Sequence, residues 1–435
     1  MRTLHVYWNA SRVGVLSEGN DLWSFSYDKA WASAPSGFDL APGLARSELL
    51  HEDGGTYRPV QWYFDNLLPE EKLRETVMKE AGLKGDDAFA LLEYLGAESA
   101  GSLVLLPPEQ ALPEKGGVQS LTDEMLSQRI RRLSRESLSK DAPKRMSVAG
   151  AQNKLLVIYR QGQLFEPVGV EPSTHILKPD HTSDDYPASV INEYITMRLA
   201  DRLGVQSPKV YRRYVPEPVY IVERFDRYED GSGSTQRRHI IDACQLLNKS
   251  RTFKNSAATL TTLVECIDKC RNKAKSRLAL YRWLVFNVLV ANDDNHLKNI
   301  SFAVEPEGID ICPAYDLLST GTYHTRAFAD HRATWPAVSM MIPLPGASTF
   351  GEVTRPALMS AAQMLGLTKR IGERELQRMS FELPMALAAL VHEIEEENAR
   401  YSYSDSIRNQ LGGEIRLLRT IQYLIVPDML SRIAA

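Results

Sequence analysis

Apolar and polar positions alternate in short bursts at the start of the chain. Leu4 to Trp8, Val13 to Leu16 and Leu22 to Tyr27 carry the two-residue period of strands, with Gly, Asn and Ser between them, which predicts a small meander or partial barrel. A helical passage runs from about Asn66 to Leu95; its opening, Asn66-Leu67-Leu68-Pro69-Glu70-Glu71, puts proline and acid in the first turn. Gly101 to Leu106 returns to strand character, and Pro107-Pro108 to Gly117 reads as a connector. Thr122 and Asp123 open a helix to about Ser137. Leu155 to Tyr159, Thr174 to Pro179 and Pro218 to Val222 are further strands. Between the last two, Asn192-Glu193 begins a helix with Ile195, Leu199 and Leu203 on one face and Gly204 as its stop.

After about residue 225 the period lengthens. Tyr228 to Arg238 reads as an exposed loop, then Thr259 to Cys270 and Leu278 to Ala291 are helical. The second of these is apolar on nearly all sides, which predicts burial. From Arg355 onward the chain is mostly helical, with Gly412-Gly413 and Pro427 as breaks.

Composition narrows the class. At 435 residues, 43% hydrophobic and 24% charged, this is an ordinary globular chain with room for two or three cores. A net charge of −4 gives no global drive towards nucleic acid or anionic membrane. Met1 to Asn9 has no signal-peptide pattern and no run approaches the ~20 apolar residues of a membrane span. Cys244, Cys266, Cys270 and Cys312 form neither a disulfide framework nor a zinc spacing, so they read as reduced thiols of a cytoplasmic protein. The basic groups Arg129-Arg131-Arg132-Arg135 and Lys269 to Arg277 read as solvated faces; Lys369, Arg370, Arg374 and Arg378 make a candidate surface for an acidic partner.

The buried helix delivers Ala291-Asn292-Asp293-Asp294-Asn295-His296-Leu297-Lys298-Asn299. Asp294 and Asn299 have the D-x-x-x-x-N spacing of a kinase catalytic loop, in which the carboxylate takes the acceptor hydroxyl's proton and the amide oxygen binds Mg²⁺. Asp316, in Pro313-Ala314-Tyr315-Asp316, is then the second metal ligand, and an Asn plus an Asp suits an ion that keeps the rest of its octahedron for water and phosphates. The same residues also fit an Asx-rich turn capping a helix. Ser147-Val148-Ala149-Gly150-Ala151-Gln152-Asn153-Lys154 is a small-residue loop able to wrap a triphosphate, or else a plain hairpin turn. Lys178 ends a short strand, as does the phosphate-binding lysine of kinases, and Glu193 is its candidate partner. Glu223-Arg224-Phe225 falls where a hinge would meet adenine, with an ion-paired strand exit as the alternative.

Together with the wording Val222-Glu223-Arg224-Phe225-Asp226-Arg227, His296-Leu297-Lys298-Asn299 and Tyr315-Asp316, this order resembles the HipA family of bacterial serine/threonine kinases, the toxin halves of type II toxin–antitoxin systems. The resemblance implies an α+β, two-lobed kinase-like fold: a β-rich amino-terminal lobe with an extra subdomain (1–106, then 107–223) and an all-α carboxy-terminal lobe (224–435), with ATP in the cleft between. It implies Asp294 as catalytic base; Ala149, Gly150, Ala151, Gln152, Asn153 and Lys154 as the phosphate loop; Lys178 on ATP; and Glu223, Arg224 and Phe225 at adenine. His296, Leu297, Lys298, Asn299, Tyr315 and Asp316 line the nucleotide, Asn299 and Asp316 hold Mg²⁺, and Ser147 is the autophosphorylated serine. It further implies a helix-turn-helix antitoxin of the HipB type, operator DNA through that antitoxin, and glutamyl-tRNA synthetase as substrate, with arrested translation and persistence as the outcome. Asp293 and Asn295 flank the base where the family has small residues, which makes Asp293 a competing assignment; the five-residue count favours Asp294.

Two other functions compete. D-x-H-x-x-N at Asp294, His296 and Asn299 matches the wording of phosphoinositide kinases, which admits a lipid or small-molecule kinase. A catalytically silent module that sequesters a DNA-binding partner is the other, opposed by the retention of Lys178, Asp294, Asn299 and Asp316 together.

Overall fold

A computed structural model describes residues 1–99, 101–147, 149–400 and 405–434. The chain divides into two compact units: Met1–Pro179 with Ile221–Lys254 and Ser301–Asp310, and Asp180–Tyr220 with Asn255–Ile300 and Ile311–Ala435.

The first unit contains the expected meander. Strands β1 (Arg2–Trp8), β2 (Ser11–Gly19), β3 (Leu22–Tyr27), β4 (Leu50–Glu52) and β5 (Leu103–Leu106) form one sheet in the order β4-β3-β2-β1-β5. Leu4 and Val6 are wholly buried two residues apart, as strand alternation requires, and so is Phe25; Val13 and Leu16, three apart and both buried, flank an irregular register in which Val6 faces Gly14 and Tyr7 faces Arg12. The predicted helical passage is three helices, Pro59–Asp65, Glu71–Glu80 and Ala88–Leu95.

A second sheet in this unit holds β6 (Gly116–Ser120), β7 (Leu155–Arg160), β8 (Gln163–Gly169) and β9 (His175–Pro179), ordered β9-β7-β8-β6, with strand Pro218–Glu223 beyond β9. The helix capped by Thr122 stops at Ile130, well short of Ser137. Arg129 corrects the solvated reading of its cluster: it is buried and makes a two-pronged contact with the fully buried Glu166, at 2.7 and 2.9 Å. Residues 228–238 are likewise no simple loop. Arg227–Glu229 and Thr235–Arg237 pair as a hairpin, and Arg237 is buried.

The second unit is helical apart from Val210–Tyr214, the start of the Pro218 strand and the ribbon Ser339–Leu344 with Ala347–Thr349. Helix Ser189–Arg202 begins three residues before the predicted start, and Gly204 ends it at φ +72°. Helix Lys273–Leu289 is buried along most of its length, from Leu280 through Leu289. Gly412 and Gly413 do not break the chain: helix Asp405–Thr420 runs through them, anchored by buried Leu411, Leu417 and Leu418. Pro427 lies just past a π turn, Ile421–Ile425, which adapts the backbone ladder to the missing N–H. Among the described residues no helix is long and apolar enough to cross a membrane.

Candidate functional site

Helix Lys273–Leu289 sets the candidate catalytic loop. Buried Asn287 donates to Trp283 O at 2.8 Å, and its side-chain oxygen accepts from Asn292 at 2.7 Å, while Asn292 N donates to Asn287 O at 2.8 Å. Ala291, at φ +54°, turns the chain out of the helix. Asn292 Oδ1 then receives Asp294 N at 3.0 Å, so the loop hangs from the helix by hydrogen bonds that leave its tip exposed.

The two adjacent aspartates separate here. Asp293 N donates to Thr320 Oγ1 at 2.7 Å, and its carboxylate lies 3.2 Å from His324 Nε2. Asp294 presents an exposed carboxylate, with His296 Nε2 at 3.9 Å. Asn299 donates its amide N–H to Asp294 O at 2.8 Å, which ties base and ligand candidates into one turn. Asn299 Oδ1 carries no hydrogen bond among the described residues. Tyr315 donates its hydroxyl to Lys298 O at 2.7 Å and so joins this turn to the segment bearing Asp316, itself at φ +57°.

Tyr220, Glu193 and Asp316 meet in the same unit. Burial pushes the Tyr220 phenol well above its ordinary range, and the charges of Glu193 and Asp316 raise it further. Asn299 and Asp316 offer the hard oxygen donors that Mg²⁺ accepts, and among the described residues no cluster of three His, Cys, Asp or Glu offers an all-protein cage. That donor set fits an ion sharing its shell with phosphates.

In the first unit the phosphate-loop candidate is equally ordered. Gly150, at φ +102°, leaves room for Lys154, whose Nζ lies 2.6 Å from where a Cβ at 150 would sit; Lys154 donates to Ala149 O at 2.6 Å. Gly150 O accepts from Glu70 N at 3.1 Å, Gln152 donates to Pro179 O at 3.3 Å, and Asn153 Oδ1 accepts from Leu138 N at 3.4 Å. The pairing of Leu155 with Leu177 brings Lys154 beside Lys178 at one end of β9. At the other end, Arg224 N donates to Thr174 O at 2.9 Å. Four residues of strand, about 13 Å, separate those ends.

The Arg224 side chain points elsewhere: it makes a two-pronged contact with Asp226, at 2.9 and 2.7 Å, inside a buried ionic cluster. Glu98, wholly buried, is the hub of that cluster. Its carboxylate accepts from Lys144 at 2.8 Å, from Ser173 N at 3.0 Å and Oγ at 2.7 Å, and from Arg227 at 3.4 Å. Burial alone would push its pKa up, yet Lys144, Arg237 and Arg227 hold it well below the usual carboxylate range. Ser147, 1% exposed, donates its N–H to Glu98 O at 2.7 Å and its hydroxyl to Leu67 O at 2.5 Å.

The candidate residues thus gather in two sets, one per unit: Ser147, 149–154, Lys178 and 223–225 in the first; Asp294, 296–299, Tyr315 and Asp316 in the second. Sequence reasoning missed Asn192, Asn287, Thr320 and His324, which lie outside the motifs; only the polar Asn287 within an apolar helix carried a signal.

Comparison with known proteins shows the family. The model of the HipA-like C-terminal domain matches residues 146–387 and that of the HipA N-terminal domain matches residues 4–106. The serine/threonine-protein kinase toxin HipA of Shewanella oneidensis is 30% identical over 414 residues, 89% of each chain. A putative kinase of Sinorhizobium fredii, Y4mE, is 32% identical over 336 residues, 74% of this chain and 78% of that one. Among solved structures, HipA of Shewanella oneidensis in complex with HipB and operator DNA matches with a TM-score of 0.76 and 26% identity, over 98% of this chain and 99% of that one.

Proposed function

The chain belongs to the HipA family of serine/threonine kinases, and from that premise we propose that it transfers the γ-phosphoryl group of ATP with Asp294 as general base. The bond between Asn299 Nδ2 and Asp294 O carries the reading. It fixes a proton acceptor and a hard oxygen ligand in one turn, as in-line transfer requires. Asp294 takes the proton of a serine or threonine hydroxyl, the oxygen attacks the γ-phosphorus, and the bond to the β-phosphate breaks, releasing ADP. Asp293, engaged by His324 and Thr320, is left in a supporting place.

Asn299 and Asp316 would hold Mg²⁺, which when bound neutralises charge on the phosphates. The two ends of β9 suit an extended nucleotide: the backbone of Glu223 to Phe225 near the base, Lys178 with Ala149 to Lys154 near the phosphates.

In biological terms the proposal is a toxin that phosphorylates its own Ser147 and a protein target, with glutamyl-tRNA synthetase the first to test, so that translation arrests and persistence follows. A HipB-like antitoxin and, through it, operator DNA are the proposed partners; the solved HipA relative is seen with both. Incubation with labelled ATP and Mg²⁺, followed by mass spectrometry, tests the reading. Label on Ser147 or on the synthetase supports it; label only on added lipid, or none with no ATP bound, overturns it.

A further inference from the structure

Asn192 lies on the Ser189–Arg202 helix, one residue before Glu193, and is wholly buried. Its amide grips one residue from both sides: Oδ1 accepts from Ser319 N at 2.7 Å, and Nδ2 donates to Ser319 O at 3.1 Å and to the Tyr323 hydroxyl at 3.1 Å. Ser319 is itself wholly buried and follows Asp316 by three residues, with buried Leu317 between them.

The segment beyond Ser319 is stitched to the candidate catalytic loop. Thr320 Oγ1 accepts from Asp293 N at 2.7 Å and donates to Ala291 O at 3.2 Å, and Gly321 N donates to the same carbonyl at 2.8 Å. One buried amide therefore anchors the residues on either side of a junction: Asp316 upstream, the base's loop downstream.

A left-handed aspartate needs such an anchor. Asp316 at φ +57° is in a region that side-chain-bearing residues populate sparsely, and it persists where its surroundings over-determine it. Ser319 is the first point after it at which a side chain from another element holds the backbone on both its N–H and its C=O.

We propose that Asn192 is a positioning residue for phosphoryl transfer, acting through Ser319 to aim Asp316 at the metal and to hold the Asp294 loop in register with it. The inference rests on the assignment of Asp316 and Asp294 given above. It adds a specific link: the helix that carries Glu193 sets the metal ligand.

Asn192→Ala, Asn192→Asp, Tyr323→Phe and Asp316→Ala, each in the full chain, test it. Binding of Mn²⁺ is followed by electron paramagnetic resonance in the presence of a non-hydrolysable ATP analogue, binding of the analogue alone is measured in EDTA, and melting is followed by circular dichroism. Asn192→Ala is expected to weaken Mn²⁺ binding at least tenfold and to change metal-free nucleotide binding less than twofold. Asn192→Asp, which keeps the acceptor for Ser319 N but loses both donated bonds, is expected to weaken Mn²⁺ binding in the same direction and serves if the alanine variant does not fold. Tyr323→Phe, which leaves the Ser319 grip whole, should stay within twofold of wild type. Wild-type Mn²⁺ affinity in folded Asn192→Ala or Asn192→Asp, with Asp316→Ala impaired, overturns the positioning role alone. Wild-type affinity in Asp316→Ala overturns the metal assignment and this inference with it.

Discussion

Glu98→Ala probes the ionic hub behind Ser147. The substitution removes a wholly buried carboxylate that Lys144 meets at 2.8 Å, Ser173 at 2.7 and 3.0 Å and Arg227 at 3.4 Å. Arg227 keeps Asp226 at 2.7 Å, so Lys144, the two Ser173 donors and buried Arg237, 4.0 Å from the carboxylate, bear the loss. Breaking a buried pair by deleting one partner costs about 3–5 kcal/mol. The lower end applies here, because burial already pushes the Lys144 pKa down and, without Glu98, the amine can shed its proton rather than remain an unpaired charge. A loss of about 3 kcal/mol is a large share of the roughly 5–15 kcal/mol that holds a folded chain together. Denaturant unfolding of wild type and variant measures it, and hydrogen exchange across residues 143–150 reports the local effect. Exchange at Ser147 N, bonded to Glu98 O, is expected to speed up with the global change or beyond it. A shift below about 1 kcal/mol, with unchanged exchange in that segment, would refute the assignment of the cluster as the anchor of Ser147.

Gly321→Ala is expected to loosen the Asp294 loop, because the new Cβ would lie 2.7 Å from Ala291 Cβ and 2.8 Å from the Trp335 ring. Overpacking of that size costs about 1–3 kcal/mol, and phosphoryl transfer should fall at least tenfold in the folded variant, read by a labelled-ATP assay. His239 is expected to make the first unit sensitive to acid. Burial pushes its pKa from 6.5 to about 4, and it is wedged between Ser102 Oγ at 2.8 Å and Leu40 O at 2.9 Å. The folded state disfavours the proton, so this contribution is whole above pH 6.5 and is lost as pH falls towards 4, by up to about 3 kcal/mol. Denaturation midpoints between pH 7 and 4 should fall more steeply in wild type than in His239→Gln.

Local signals carried much of this fold. Strand alternation located Leu4 to Trp8 and Leu22 to Tyr27, Thr259 sits as the cap of its helix, and the apolar run from Leu278 is a buried helix ahead of the Asp294 loop. Partnerships across long sequence separations were not legible. Arg129 looked solvated because Glu166 lies 37 positions away; the 227–237 hairpin hid behind its Asp-Gly-Ser-Gly-Ser tip; and Asn192 gave no hint of Ser319, 127 positions on. Gly412-Gly413 misled for the opposite reason, since packing of neighbouring leucines outweighs a local propensity of about 1 kcal/mol per glycine.

The assignment of the base is tested most directly by comparing the transfer rates of Asp294→Asn and Asp293→Asn, with the folded state of each verified by its melting curve. Asp294→Asn is expected to lower the rate by about two to four orders of magnitude. Asp293→Asn, whose carboxylate meets His324 rather than the open face of the loop, is expected to cost no more than about tenfold. The reverse ranking, or an unchanged rate in Asp294→Asn, would contradict the account.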